Sequence, residues 1–284
     1  MKKFLPAGLT GKALFDYLVK NEDLIFHAKK STVKEADEVC LMPLYVDEKG
    51  NLVTKAELPA QQPADNSRLK VAPVINTTNW YDSHGDVHIP GLWKKSISDN
   101  KRNGFYLLDT HGRHFQDVIA ESCAAATKTM SWKELGLTIS GTTEALMFTG
   151  IIEKTRNEYM FDQYEKGYVK NHSVGMRYIK MLTCIDDDDY PVQKENWDKY
   201  IKEVANREEA EESGYFWAVL EAQIVEGSAV LFGSNGITPN TEATLLPSKL
   251  QPVEDTNDQP LSSTEKKPSV FDLDAAIKQV KIIV

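Results

Sequence analysis

The side chains in this chain best suited to chemistry are its six histidines, His27, His84, His88, His111, His114 and His172. His84 and His88 have the spacing that sets two metal ligands on one face of a helix, as zinc hydrolases require. The residues between and after them, Gly85-Asp86-Val87 and Ile89-Pro90-Gly91, are not those of a helix. On a strand, residues four apart lie ~13 Å apart, too far to chelate one ion. His111 and His114, three apart, would face opposite sides of a strand. Asp186 to Asp189 lack the Gly turn and distant closing Glu of a calcium loop. Neither a metal nor another cofactor is therefore expected.

A nucleophile is the second option, and Ser173 lies in Asn171-His172-Ser173-Val174-Gly175-Met176, a stretch that reads as a strand. Neighbours on a strand point to opposite faces, so His172 is a poor general base for Ser173 and the base must come from elsewhere. His111 follows the apolar run Phe105 to Leu108, where the end of a strand can present a side chain rigidly at a barrel rim.

The elements that must position these residues are mostly β. From Val71 to Leu246 about seven short apolar runs are punctuated by Gly: 71–75, 105–108, 135–140, 146–152, 168–176, 216–225 and 229–232. That pattern predicts a mainly β fold with flanking helices, a small barrel or sandwich. Helices are predicted over 10–21, 155–166 and 195–212 from apolar residues on one face. Leu41 to Val46 and Leu52-Val53 flank a Gly-containing turn and predict a hairpin. The polar, Pro-containing stretch 59–67 reads as a linker, so three parts are expected: an N-terminal segment 1–70, a β domain 71–246, and a tail 247–284. In the tail, Pro-, Ser- and Thr-rich sequence leads to Ser269-Val270-Phe271-Asp272, a capping-box pattern opening a short amphipathic helix.

Composition narrows the function. The net charge is −9 over 284 residues, and residues 186–212, with 11 acidic and 4 basic side chains, form an acidic helical insert. A chain of this charge lacks the basic footprint of a nucleic-acid binder. The longest apolar candidate, Leu135 to Ile152, is broken by Glu144, so no membrane span is expected. Pro6, Gly8 and Lys12 cut short the start that would otherwise resemble a secretion signal. Cys40, Cys123 and Cys184 fit neither a disulfide framework nor a zinc ribbon, which suits a reducing compartment.

Four segments in order resemble the prohead (procapsid maturation) protease family of tailed phages, distant relatives of the herpesvirus maturation protease. Asp82-Ser83-His84-Gly85-Asp86 with Pro90-Gly91 is similar to that family's early motif, and Leu107-Leu108 with His111 to its His-bearing segment. Ser173-Val174-Gly175 resembles its nucleophile motif, ending here in Met176 instead of Phe. Glu226-Gly227-Ser228-Ala229-Val230, with Asn235 beyond it, resembles its Glu-Val-Ser-x-Val strand. The resemblance implies a closed or partly closed, herpesvirus-protease-like barrel and a serine endopeptidase. In it Ser173 is the nucleophile, His111 the general base and Glu226 the orienting carboxylate, with Glu221 or Glu121 as alternatives. It further implies scaffolding and major capsid proteins as substrates, self-cleavage, a place inside the immature procapsid in the host cytoplasm, and an open question of homo-oligomer formation. A non-catalytic assembly protein, binding through the barrel and terminal helix, is the rival reading.

Overall fold

The computed structural model describes residues 5–6, 8–31, 45–46, 52–53 and 64–247. The terminal helix expected from Ser269 lies outside the described residues.

The chain opens with two helices where the sequence pattern predicts one, α1 (Gly11–Lys20) and α2 (Glu22–Ser31). Asn21 makes the joint. Its backbone N–H and its side-chain Nδ2 both donate to Tyr17 O, ending α1, while its carbonyl accepts Ile25 N–H and starts α2. Leu14, Phe15, Leu18 and Ile25 join the same core cluster as Val71, Ile75, Phe148, Val174 and Trp217, so both helices pack on the body of the protein. The expected hairpin appears as β1 (Tyr45–Val46) paired antiparallel with β2 (Leu52–Val53).

Eight strands form one mixed sheet: β3 (Ala64–Thr77), β4 (Asp86–His88), β5 (Phe105–Asp109), β6 (Val118–Ser131), β7 (Thr142–Glu153), β8 (Asn171–Ile185), β9 (Tyr215–Val230) and β10 (Asn240–Pro247). Their order is β10-β3-β7-β6-β5-β9-β4, with β8 also paired to β9. The long β9 organises the sheet. β8 runs antiparallel along it, while β4 and β5 pair parallel to its first and last thirds. β3 begins inside the stretch that reads as a linker and runs unbroken through residue 70.

The mainly β architecture with flanking helices is as expected, but the sheet is not closed, which corrects the closed barrel. The reason lies along β8, where a closing strand would have to pair. There His172 N–H donates to Thr238 Oγ1 at 3.0 Å, and the same hydroxyl donates to His172 O at 2.6 Å. The loop between β9 and β10 thus takes up backbone groups that a barrel would spend on a strand ladder.

Two further departures have local causes. Residues 135–140 are not a strand, because Leu135 and Leu137 N–H both turn back to Trp132 O around Gly136. The helix expected over 195–212 is split into α5 (Pro191–Tyr200) and α6 (Arg207–Ser213). Between them Asn206 leaves helical geometry to clasp Tyr81, accepting its N–H at 2.8 Å and donating to its O at 2.9 Å. The remaining α-helices among the described residues are α3 (Lys94–Asp99) and α4 (Glu158–Glu165), the latter capped by Asn157, which accepts Met160 N–H. Among the described residues no helix is long and apolar enough to cross a membrane.

Candidate active site

The site grows from the register of β8 on β9. Ser173 stands opposite Ser228 and Gly175 opposite Glu226. Residues directly across a ladder share a face, so these four form a square on one side of the sheet. The alternate residues His172, Val174, Gly227 and Ala229 face the core. A side chain at Gly227 would meet Phe148 at 2.7 Å and Ile75 at 3.0 Å, so glycine permits that packing. Gly175 is needed on the opposite face for a related reason. A Cβ there would lie 1.9 Å from Glu226 Oε1, so the Glu226 carboxylate occupies the space glycine leaves.

β5 brings the histidine. Leu108 and Asp109 pair with Ser228 and Ala229, and Thr110 N–H continues to Ala229 O at 2.9 Å. Thr110 (φ +50°) and His111 (φ +57°) then both adopt the left-handed region, which is uncommon for non-glycine residues and costs free energy. Three contacts hold the turn: Gly112 N–H to Asp109 O at 2.8 Å, the Thr110 hydroxyl to Asp109 Oδ1 at 2.5 Å, and His111 N–H to Ser228 Oγ at 3.1 Å. The turn folds His111 back over the sheet, where Nδ1 lies 2.6 Å from Glu226 Oε1 with both side chains only 8% exposed. A carboxylate there assigns the imidazole proton to Nδ1 and leaves the Nε2 lone pair free. Nε2 is buried and has no hydrogen-bond partner among the described residues.

Of the three predicted residues, His111 and Glu226 are in direct contact, and Ser173 is placed on the same face as Glu226, two residue pairs along the ladder. Glu226 Oε1 sits over Gly175, about 6.6 Å along the strand from Ser173 at two residue rises. The imidazole bonded to that oxygen stands on the face of the sheet that carries Ser173. No hydrogen bond joins the two here, a contact that commonly tightens only around substrate. Glu121 and Glu221, the alternative acids, pair instead with Arg156 at 3.0 Å and Lys95 at 3.5 Å.

The chain matches no protein-family model, no curated protein and no solved structure.

Other candidate groups are committed to structure. His172 is fully buried, with its ring between Tyr164 OH at 2.8 Å and Thr238 O at 3.0 Å, and burial pushes its pKa down to about 4. Burial likewise pushes the Cys123 thiol up to about 12 and Cys184 higher still, so neither is a reactive thiolate. Asp82, His84 and Asp86 bring possible ligand atoms within 4.8 Å of one another. Yet Asp86 Oδ1 already takes the Lys29 ammonium at 2.5 Å and Oδ2 the Tyr178 hydroxyl at 2.5 Å, while Asp82 Oδ1 accepts His84 and Asp86 N–H. The Asp-x-x-Gly-Asp segment is therefore a turn that fixes a buried carboxylate. Asn235 closes the loop after β9 in the same way, bonded to Thr77 through both amide atoms.

Sequence reasoning did not single out Gly175, Ser228 or Lys29. The first two lie inside the quoted Ser-Val-Gly and Glu-Gly-Ser segments, and the antiparallel register that sets Gly175 opposite Glu226 and Ser228 opposite Ser173 is the signal a strand alignment would have supplied.

Proposed function

We propose that the chain is a serine endopeptidase. Ser173 is the nucleophile, His111 the general base and Glu226 the carboxylate that orients and charge-stabilises the imidazole. The supporting observation is the buried His111–Glu226 pair, whose Nε2 is unpartnered on the face that carries Ser173. In the acylation step the Ser173 oxygen bonds to the peptide carbonyl carbon as its proton passes to Nε2. The amide C–N bond then breaks and that proton leaves with the amine. Water repeats the sequence in reverse and frees Ser173.

The segmental resemblance supports scaffolding and major capsid proteins as substrates, with self-cleavage, inside the immature procapsid of a tailed phage. It also supports distant kinship with the herpesvirus maturation protease. A fluorophosphonate, which phosphonylates activated serines, tests the catalytic assignment. Mass mapping is expected to place the adduct on Ser173 and to show labelling abolished in Ser173→Ala and strongly slowed in His111→Ala. Labelling that is absent in wild type, or indifferent to both substitutions, contradicts the proposal and favours the non-catalytic assembly reading.

A further inference from the structure

We infer that Ser228 is a positioning residue for the proposed reaction, and that its hydroxyl is the node joining the base to the acid. The inference rests on the serine-protease reading above. Ser228 is fully buried. Its hydroxyl has one proton to give, and it gives it to Glu226 Oε2 at 2.6 Å; its lone pair accepts His111 N–H at 3.1 Å. The two bonds act on different parts of the site. The first holds the carboxylate plane so that the other oxygen, Oε1, faces His111 Nδ1 at 2.6 Å. The second holds the backbone of a residue with φ +57°, which favours relaxing to ordinary geometry unless pinned. A hydroxyl serves both ends, because it can donate and accept at once. Ser228 is itself a poor nucleophile candidate, since its proton already goes to Glu226 and it is inaccessible, whereas the Ser173 hydroxyl opposite it makes no hydrogen bond among the described residues. It touches no reacting atom and acts only through His111 and Glu226.

The test uses the full chain with a scaffold-derived protein substrate, together with proton NMR of the low-field imidazole N–H resonance that a short His–carboxylate bond produces, assigned by its loss in His111→Ala. Ser228→Ala is expected to lower kcat by ~10- to 100-fold, the range for a lost charge-assisted hydrogen bond, with KM unchanged, and to broaden or remove the resonance. Ser228→Thr, which keeps the hydroxyl, is expected to restore most of both. Should the alanine variant fail to fold, Ser228→Cys keeps the volume, weakens both bonds and is expected to show the same losses. Wild-type kcat and an unchanged resonance in the alanine or cysteine variant overturn the inference, as does a threonine variant no better than alanine. Ser173→Ala and His111→Ala are run alongside. Cleavage surviving in those overturns the protease reading itself, a result distinct from failure at Ser228 alone.

Discussion

Replacing Gly175 with alanine adds a single methyl group, and the geometry predicts that it disables the proposed catalytic site without unfolding the protein. The methyl would start 1.9 Å from Glu226 Oε1 and 2.8 Å from its Cδ. To reach ordinary contact the carboxylate must retreat by about 1.5 Å. The 2.6 Å bond to His111 Nδ1 then stretches beyond hydrogen-bond range. Since the obstructing group is the end of a flexible side chain, the stability cost is at the overpacking scale of about 1–3 kcal/mol. Losing the orienting acid of a triad costs ~10²- to 10⁴-fold in kcat, about 3–5 kcal/mol of transition-state stabilisation. Steady-state cleavage of a purified scaffold substrate and a thermal melt measure the two effects separately. If the methyl acts only through Glu226, adding Gly175→Ala to Glu226→Gln costs little more than Glu226→Gln alone. Wild-type kcat in Gly175→Ala, or fully additive losses in the double variant, would refute the reasoning.

Three further outcomes are expected. Lys29 is buried against Asp86 and lies 3.9 Å over the Trp217 ring, so Lys29→Ala strands a buried carboxylate and should cost about 3–5 kcal/mol in denaturant unfolding; a loss within 0.5 kcal/mol of zero, the ~0.5 kcal/mol scale of surface changes, contradicts a buried pair. Combining Lys29→Met with Asp86→Asn removes both charges and should recover part of that loss. His172 titrates near 4 when folded against 6.5 unfolded, so the unfolded chain binds the extra proton between those values. Stability is then fully present above pH 6.5 and falls as pH drops toward 4, by about 3 kcal/mol at ~1.4 kcal/mol per unit, and His172→Gln should flatten the melting-temperature slope across that window.

Much of the candidate site's placement was legible in the sequence because it rests on strand alternation, a short-range property. His172 and Ser173 point to opposite faces as that rule demands, and His111 follows the strand expected to present it. The fold was less legible where long-range pairing decides structure. β6 escapes notice because its outer part, with Lys128 and three Thr and Ser residues, has little alternation, and it is held as a strand by pairing, with β5 over Val118 to Cys123 and with β7 over Ala124 to Ser131. Barrel closure is likewise invisible to a count of strands, since it depends on whether β8 meets a strand or, as here, the Thr238 hydroxyl. The choice of Glu226 over Glu121 and Glu221 came from resemblance. The space that holds its carboxylate, left by Gly175 across the ladder, needed the register that sets Gly175 opposite Glu226, 51 residues further along the chain.

The central claim is tested most directly by intact-mass analysis of the purified chain after incubation, alone and with its scaffold or capsid partner, for wild type, Ser173→Ala and His111→Ala. The account predicts defined fragments in wild type and none in either variant. The same fragments in all three, or an uncut chain and partner in every sample, would contradict it.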